Sequence, residues 1–311
     1  MKIVLAPMEG VIDFAMREIL TSGGSYSYGL TEFMRVNDHL LSKSQFIKYA
    51  PELLTGGKTR SGTPIYIQLL GQNKSWMAEN AFRAYQMGAP GIDLNFGCPA
   101  KTVNKNKGGS ILLREPSVVH NIVKEVRTAV PSSIPVTVKM RLGYEDKTLA
   151  IENAQAIEAA GATSLAVHAR TKLEGYKPPA HWHWIARIKD QVNIPIIANG
   201  DIWSKTDALN CMTESGCADI MLGRGALSLP NLADVIGKGD IPYGWHQTCR
   251  SIIDYSEYRR DHNNQNFVPN RIKQWLSYLK RQYPQAEMLF TEIKRMRELT
   301  EIIPAINRNY L

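Results

Sequence analysis

Cys98 lies in a stretch whose composition indicates chemistry rather than packing, IDLNFGCPAKTVNKNKGGS at residues 92–110. A strand-like run ends just before this cysteine, and Gly97 and Pro99 on either side of it impose special backbone conformations. A thiol in this position can act as a nucleophile or as a general acid. A nucleophile needs an adjacent base, which the stretch does not contain, whereas a weakly acidic thiol that donates one proton fits equally well. The residues around Cys98 leave both roles open.

Other strand-like runs also end in polar residues. At their C-terminal ends stand Ala6-Pro7-Met8-Glu9, Glu32, Gln68, Asn95 with Cys98, Lys139 with Arg141, His168 with Arg170, Asn199-Gly200-Asp201, and Gly223-Arg224. Any one of these taken alone reads as an ordinary loop residue. Together, so many polar strand ends predict a functional site at one edge of the fold.

Eight strand-like runs, about thirty residues apart, alternate with amphipathic helical segments such as SWMAENAFRAYQMG and LAIENAQAIEAAG. The runs are 2–7, 28–33, 64–71, 91–97, 134–143, 163–170, 194–200 and 218–224. Several are continuously apolar, as parallel strands buried on both faces are. The pattern predicts an α/β fold, a (β/α)8 TIM barrel, whose active site lies at the C-terminal ends of the strands. A doubly wound sheet is the alternative, but no GxGxxG segment follows the first strand.

Two glycine-containing segments, IIANGDI (196–202) and MLGRG (221–225), follow the seventh and eighth predicted strands. Their backbone N–H groups can approach an anion, and phosphate sites in TIM barrels commonly lie in these two loops. Arg224 can add a charge-assisted hydrogen bond. The location of the two segments predicts a phosphate site.

Lys139 and His168 end neighbouring predicted strands, where a cation can face an electron-rich ring or a phosphate. Lys139 can alternatively form a Schiff base with a carbonyl substrate. His168 can alternatively be a core histidine with satisfied hydrogen bonds. These alternatives stay open at the level of sequence.

The strand pattern stops near residue 238, where GKGDIPYGW reads as a linker. Three helical segments are predicted after it, at roughly 245–261, 269–283 and 285–299. Residues 241–311 hold eleven Lys/Arg against seven Asp/Glu, so under a quarter of the chain carries half of its net charge of +8. We therefore expect a barrel domain over residues 1–240 and a basic all-helical domain over residues 241–311.

Charge and cysteine usage indicate a cytoplasmic protein with a polyanionic partner. The pI is near 9.2, which favours nucleic acid as that partner. The four cysteines show neither a CxxC pair nor zinc-site spacing, and Cys211, Cys217 and Cys249 read as small buried hydrophobes. The chain shows no apolar run long enough to span a membrane and no signal-peptide pattern. No obligate protein partner is indicated, so a monomer is expected.

The motifs resemble those of the tRNA-dihydrouridine synthase family over nearly the whole chain. They are APMEGV, TEF, QLLG, DLNFGCP followed by VNKNKGGS, VKMRLG, VHARTKLEGY, IIANGDI and MLGRGAL. The Asn-x-Gly-Cys-Pro block followed by Gly-Ser is the family signature. RIKQWLSYL near the C-terminus further resembles the subfamily that acts on uridine 16 of the tRNA D-loop. Lys107 departs from the pattern, because relatives often have a third glycine there.

The resemblance implies an oxidoreductase that acts on a CH–CH bond, with bound FMN and with NADPH as reductant. It places against the flavin Pro7, Met8, Glu9, Gln68, Lys139 and His168. It places at the ribityl phosphate Asn199, Gly200, Asp201, Gly223 and Arg224. A hydride goes to C6 of the uracil ring, and Cys98 is implied to protonate C5.

The resemblance also implies a tRNA surface around the mouth of the barrel. The residues expected to contact tRNA are Arg35, Asn95, Lys101, Arg141, Tyr176, Arg271, Lys273, Tyr278 and Lys294, with Lys105 and Lys107 beside Lys101. The alternative for the basic C-terminal segment is a solvated charged helix face. Three rival functions stay open: a flavoenzyme like dihydroorotate dehydrogenase that acts on a small pyrimidine, a non-catalytic tRNA-binding protein on a barrel scaffold, and an aldolase-type enzyme that uses Lys139.

Overall fold

A computed structural model describes residues 1–258 and 267–310. Its nine strands are all parallel, and the sheet closes because β2 pairs with β4. The strands are β1 (Ile3–Leu5), β2 (Tyr28–Leu30), β3 (Met34–Arg35), β4 (Ile65–Leu70), β5 (Ile92–Phe96), β6 (Val136–Arg141), β7 (Ser164–His168), β8 (Ile196–Asn199) and β9 (Asp219–Leu222). Eight of them form the predicted (β/α)8 TIM barrel, and each of the eight predicted runs contains one. The two-residue β3, which extends the pairing of β4, was not predicted.

Helices follow the strands around the barrel. They are α1 (Phe14–Thr21), α2 (Lys43–Tyr49), α3 (Lys74–Gln86), α4 (Lys101–Lys105), α5 (Pro116–Ala129), α6 (Ala150–Ala159), α7 (Trp182–Lys189), α8 (Lys205–Ser215), α9 (Arg224–Ser228) and α10 (Leu232–Gly237). Short 3₁₀ helices occupy Pro51–Thr55 and Gly109–Arg114. The two helical segments singled out in the sequence are α3 and α6, and the glycine after each has a positive φ, +88° at Gly88 and +90° at Gly161. Such glycines end helices at no steric cost.

The barrel interior contains an apolar cluster, and a polar layer lies nearer the C-terminal ends of the strands. Val4, Tyr28, Ala166, Ile197 and Met221 belong to one buried cluster inside the strands. Above it, neighbouring strands carry polar residues at paired positions, Gln68 beside Asp93 and Asn95 beside Lys139. Because the side chains of a parallel barrel alternate between interior and exterior, these residues form a polar layer near the C-terminal ends of the strands.

Within residues 241–258 and 267–310, the C-terminal region holds four helices instead of the three predicted: α11 (Trp245–Tyr258), α12 (Phe267–Leu279), α13 (Pro284–Ile293) and α14 (Leu299–Tyr310). The predicted third segment, 285–299, reaches from α13 to the first residue of α14. The fourth helix was missed because Pro304 interrupts its sequence pattern, yet lies inside it. Residues 259–261 of the first predicted segment lie outside the described residues.

The C-terminal helices pack directly on the barrel. The Trp275 indole N–H donates to the Leu227 carbonyl at 3.0 Å, and the Tyr255 hydroxyl donates to Asp13 Oδ2 at 3.1 Å. Trp275 and Tyr255 are buried at this contact. Over the described part of the chain, no helix is long and apolar enough to cross a membrane.

Candidate active site

A cavity of about 610 Å³ opens at the C-terminal ends of the strands. All eleven residues expected at the cofactor line it: Pro7, Met8, Glu9, Gln68, Lys139, His168, Asn199, Gly200, Asp201, Gly223 and Arg224. Cys98 lines it too, with Asn95, Arg141, Tyr176 and Tyr278 from the group expected at tRNA. A cavity of this size with convergent polar groups is typical of a small-molecule site.

The Cys98 loop is held by hydrogen bonds at both backbone groups of the cysteine. Its N–H donates to Asn95 Oδ1 at 2.9 Å, and its carbonyl accepts from Ser110 Oγ at 2.9 Å and Asn104 Nδ2 at 3.1 Å. A side chain at Gly109 would place its Cβ 2.8 Å from the Cys98 carbonyl, and φ there is +67°. The Gly-Ser pair after the cysteine is therefore needed to close the loop.

Cys98 is 8% exposed, and this burial raises the pKa of its thiol above the usual value. Nearby Arg141 and Arg35 act in the opposite direction but do not overcome the loss of hydration. The group is accordingly a thiol at neutral pH. The raised pKa favours the general acid over the nucleophile, because a nucleophilic thiol would need a lowered pKa.

Lys139 and His168 present different charge states to the cavity. Burial, and secondarily Arg141, lowers the pKa of Lys139 to about 8, and its ammonium donates to Asn199 Oδ1 at 3.2 Å. Burial and four surrounding cations lower the pKa of His168 well below 6.5, so its imidazole is neutral. Since His168 lines the cavity, it is not simply a core histidine. The lowered pKa of Lys139 is also what a Schiff-base lysine would need.

One end of the cavity is rich in guanidinium groups. Arg224 donates to Asp201 Oδ1 at 3.1 Å, and the fully buried Arg170 pairs with Asp201 Oδ2. Arg170 Nη1 is buried and has no hydrogen-bond partner among the described residues. Asp201 itself holds a left-handed φ of +52°, a strained conformation for a non-glycine residue. The carboxylate of Asp201 therefore holds two arginines in place, and its strained backbone conformation is retained at this site.

Aromatic rings pack against Arg224 and two further arginines at the mouth of the cavity. The Arg224 guanidinium lies 4.8 Å from the Tyr176 ring centroid and 4.9 Å from that of Trp203, while Arg281 covers Trp203 at 3.9 Å. Arg141 lies 5.1 Å from the Tyr176 ring. A row of alternating guanidinium groups and rings thus crosses the mouth from the C-terminal helices to the Cys98 side.

Trp203, Phe33 and the supporting Asp93 were missed in the sequence. Trp203 directly follows the predicted phosphate segment, which could have identified it, whereas nothing about Phe33 distinguishes it from a core residue. Five residues expected at tRNA do not line the cavity: Arg35, Lys101, Arg271, Lys273 and Lys294. Lys101 and Lys294 are exposed, Arg35 is half-buried in β3, Arg271 bonds Gln274, and Lys273 donates to the Met296 carbonyl.

Comparison of the sequence with known proteins identifies a family, whereas comparison of the structure identifies a fold. The family model described as Dihydrouridine synthase (Dus) matches residues 4–307. A "tRNA-dihydrouridine(16) synthase" of Shewanella oneidensis is 52% identical over 99% of this chain and 98% of the relative, and one of Pseudomonas putida is 49% identical over 95% and 93%. Among solved structures, the old yellow enzyme homologue from Zymomonas mobilis superposes with a TM-score of 0.54 at 13% identity, over 78% of this chain and 90% of that one. This last likeness supports the barrel fold alone.

Proposed function

Because the chain belongs to the dihydrouridine synthase family, we propose that it binds FMN, takes reducing equivalents from NADPH, and acts as a monomer to reduce the C5–C6 double bond of uridine 16 in the tRNA D-loop. The observation that carries this proposal is the presence, in one cavity, of a buried thiol and an excess of cationic side chains. The names of the similar proteins from Shewanella oneidensis and Pseudomonas putida support tRNA as the substrate and position 16 as the target. The barrel would be the catalytic domain and residues 241–311 the tRNA-binding domain.

The residues of the cavity fit FMN. Lys139, Arg141 and Arg224 outnumber the carboxylates Glu9 and Asp201 along its wall, and the unpartnered Nη1 of Arg170 lies behind them. An anionic ligand is therefore favoured. Arg224 and the backbone N–H groups of Gly200 and Gly223 would hold the phosphate. Asp201 would contribute through its backbone, because its carboxylate is engaged with the two arginines.

The apolar and polar walls would hold the isoalloxazine ring. Pro7 and Met8 offer an apolar surface, while Gln68 offers an amide and Lys139 a cation. Bound FMN would supply a hydride to C6 of the uracil ring.

Cys98 would then complete the reduction by donating its proton to C5. Addition at C6 leaves negative charge on C5 and on the neighbouring carbonyl oxygen, so a proton donor and a nearby cation both lower the barrier. Arg141 is suited to the second role, because its Nε donates to the Gly97 carbonyl at 2.9 Å and fixes the guanidinium beside the Cys98 loop. Neutral His168 leaves this charge stabilisation to Arg141 and Lys139.

The target uridine must leave the RNA stack to reach the cavity. Tyr176 is 54% exposed at the mouth and already lies against Arg141 and Arg224. Such a ring between cations suits stacking of an extruded base and contact with its phosphates. Lys101 and Lys105 lie at the two ends of α4, after the Cys98 loop, and Lys107 follows that helix. Tyr278 brings the C-terminal helices to the same mouth.

The test compares two substrates on one enzyme preparation. We expect the FMN-loaded protein, with NADPH, to reduce tRNA that lacks dihydrouridine and to leave orotate unchanged. Reduction of orotate but not of tRNA would indicate the dihydroorotate-dehydrogenase-like activity. A colourless protein that cannot be reconstituted with FMN, yet binds tRNA, would indicate the non-catalytic alternative.

Arg271 and Lys273 are expected to orient tRNA on the C-terminal helices. Replacing both with alanine should weaken tRNA binding by about tenfold and lower the salt dependence of binding by about one to two ion equivalents, as phosphate contacts do. FMN affinity should not change, because neither residue lines the cavity. Binding titrations at several salt concentrations would measure both effects.

The matched control replaces Lys2 and Lys124, which removes the same charge from exposed positions away from the mouth, at the start of β1 and on α5. Its tRNA affinity should stay near that of the wild type. If both variants lost the same tRNA affinity, the basic C-terminal helices would be only a solvated charged surface. If the Arg271 and Lys273 variant also lost FMN, the substitutions would have caused misfolding.

Lys107 adopts a left-handed φ of +53°, a conformation that favours glycine. Lys107→Gly should therefore raise the free energy of unfolding by about 1 kcal/mol, because glycine adopts this conformation without steric cost. Lys105→Gly removes the same charge from helical backbone in α4 and should lower stability by about 0.5–1 kcal/mol. Urea denaturation would compare the two, and effects of the same sign would contradict this explanation.

A further inference from the structure

Asp93 is a buried acid beneath the cavity that the proposed chemistry does not use. It lies on β5, is 1% exposed, and does not line the cavity. Thr137 Oγ1 donates to its Oδ1 at 2.5 Å, and Gln68 Nε2 donates to its Oδ2 at 2.7 Å. Lys139 supplies the nearby positive charge. An acid that is costly to bury is thus retained at the centre of the barrel.

A chain of hydrogen bonds leads from Asp93 to the catalytic loop. Gln68 Oε1 accepts from Asn95 Nδ2 at 2.8 Å, and Asn95 Oδ1 accepts from the backbone N–H groups of Gly97 and Cys98, each at 2.9 Å. The chain crosses from β5 to β4 at Gln68 and returns to β5 at Asn95, which holds the loop that follows β5. The side chains of Gln68 and Asn95 therefore connect Asp93 to the backbone N–H of Cys98 by hydrogen bonds.

The direction of this chain follows from what each group can donate. Burial raises the pKa of Asp93 to about 7, and above that pH its carboxylate only accepts hydrogen bonds. Gln68 then turns its NH₂ group toward Asp93, as the hydrogen bond from Nε2 to Oδ2 shows. Its oxygen then faces Asn95, which must in turn donate its NH₂ group and keep its oxygen for Cys98. Asn95 Oδ1 already accepts two hydrogen bonds and Gln68 Oε1 accepts one. Each amide keeps a second N–H for a ligand in the cavity, and these donors match carbonyl oxygens of a pyrimidine or isoalloxazine ring.

We propose that Asp93 is a positioning residue for the proposed reaction: it sets the orientation of the Gln68 and Asn95 amides, and through them the position of the Cys98 loop and the donor pattern of the cavity. This inference rests on the proposed function for its catalytic consequence but not for its structural one. Without an acceptor at position 93, no hydrogen bond from Gln68 Nε2 fixes which way the Gln68 amide is turned. Asn95 can then turn its NH₂ group toward Cys98, which leaves two donors facing each other.

Two substitutions of the same size separate hydrogen bonding from packing. Asp93→Asn keeps an oxygen that accepts from Gln68 and gains an NH₂ group that donates to Thr137 Oγ1. Asp93→Leu keeps the volume but removes the acceptor. We expect Asp93→Leu to raise the rate of Cys98 alkylation by iodoacetamide in the apoprotein about tenfold, as mapped by mass spectrometry. We expect it to weaken FMN binding and to lower kcat by about 10–100-fold, the usual scale for orienting partners.

Asp93→Asn should stay within about threefold of the wild type in all three measurements, and KM for tRNA should stay unchanged in both variants. An Asp93→Leu protein that folds, with Cys98 alkylation and FMN affinity like the wild type, would overturn the proposal. Asn and Leu variants that are equally impaired would also overturn it, because charge rather than orientation would then be responsible.

If Asp93→Leu does not fold, Gln68→Met breaks the same chain at its second link without changing the side-chain length. It should raise Cys98 alkylation by a similar factor, and an unchanged rate would overturn the proposal. Alkylation and FMN titration do not depend on RNA. A wild-type protein that reduces no tRNA would therefore contradict the proposed function while leaving this test decisive.

Discussion

Cys98→Ala is expected to lower the turnover of uridine reduction by about 10²–10⁴-fold, the usual contribution of a positioned general acid. The substitution removes the only proton that the Cys98 side chain can donate, and leaves Asn95, Ser110 and Asn104 bonded to its backbone. FMN content and tRNA affinity should therefore stay near wild-type values. Single-turnover measurement of dihydrouridine on natively modified tRNA would check the loss.

The pH dependence should follow from the raised pKa of the Cys98 thiol. The thiol is the active form, so loss of the Cys98 proton should lower turnover only as the pH rises through that raised pKa. An earlier partial fall is expected near pH 8, where the stabilising charge of Lys139 is lost. The matched control is Cys249→Ala, which removes a buried thiol from α11, outside the cavity. Its turnover should match the wild type. A Cys98→Ala enzyme with near wild-type turnover would exclude the proton-donor role.

Arg224→Met is the second large expected effect, on cofactor affinity. Arg224 is the cavity-lining guanidinium that Asp201 holds at the predicted phosphate site. Hydrogen bonds to a charged group contribute about 1.5–3 kcal/mol, so the Kd for FMN should rise by about 10–150-fold. Fluorescence titration of the apoprotein would measure it. Riboflavin lacks the phosphate, and its affinity should change little.

Arg187→Met provides the matched control for loss of a guanidinium stacked on an indole. Arg187 covers Trp184 at 3.9 Å on α7, and neither residue lines the cavity. FMN affinity should not change in this variant. If Arg224→Met weakened riboflavin and FMN equally, Arg224 would be supporting the cavity wall rather than binding a phosphate.

The barrel and most of its cavity-lining residues could be predicted because the end of each strand is visible in the local sequence. A buried parallel strand is a continuous apolar run, so a polar residue such as Gln68 or His168 at its C-terminal end is conspicuous. The closed topology then brings eight such ends together without any further information. This is why all eleven residues expected at the cofactor line one cavity, although their contacts with a cofactor remain predictions.

Most of the features that were missed depend on contacts between residues that are distant in the sequence. Asp93 lies within an apolar strand, and its partners Gln68 and Thr137 are identifiable only once β4, β5 and β6 are in register. Arg281 covers Trp203 because the C-terminal helices pack over the eighth strand end, which no local pattern indicates. Helix α14 was missed for a local reason, since Pro304 normally ends a helix.

The central claim, that this protein makes dihydrouridine at position 16 of tRNA, is tested most directly by mapping that nucleoside. tRNA from cells that lack the protein would be sequenced by a method that detects dihydrouridine, before and after incubation with the purified FMN-loaded protein and NADPH. We predict that uridine 16 is unmodified before incubation and converted to dihydrouridine after it, while other D-loop positions stay the same. Dihydrouridine still present at position 16 in those cells, together with no conversion in vitro, would contradict the claim.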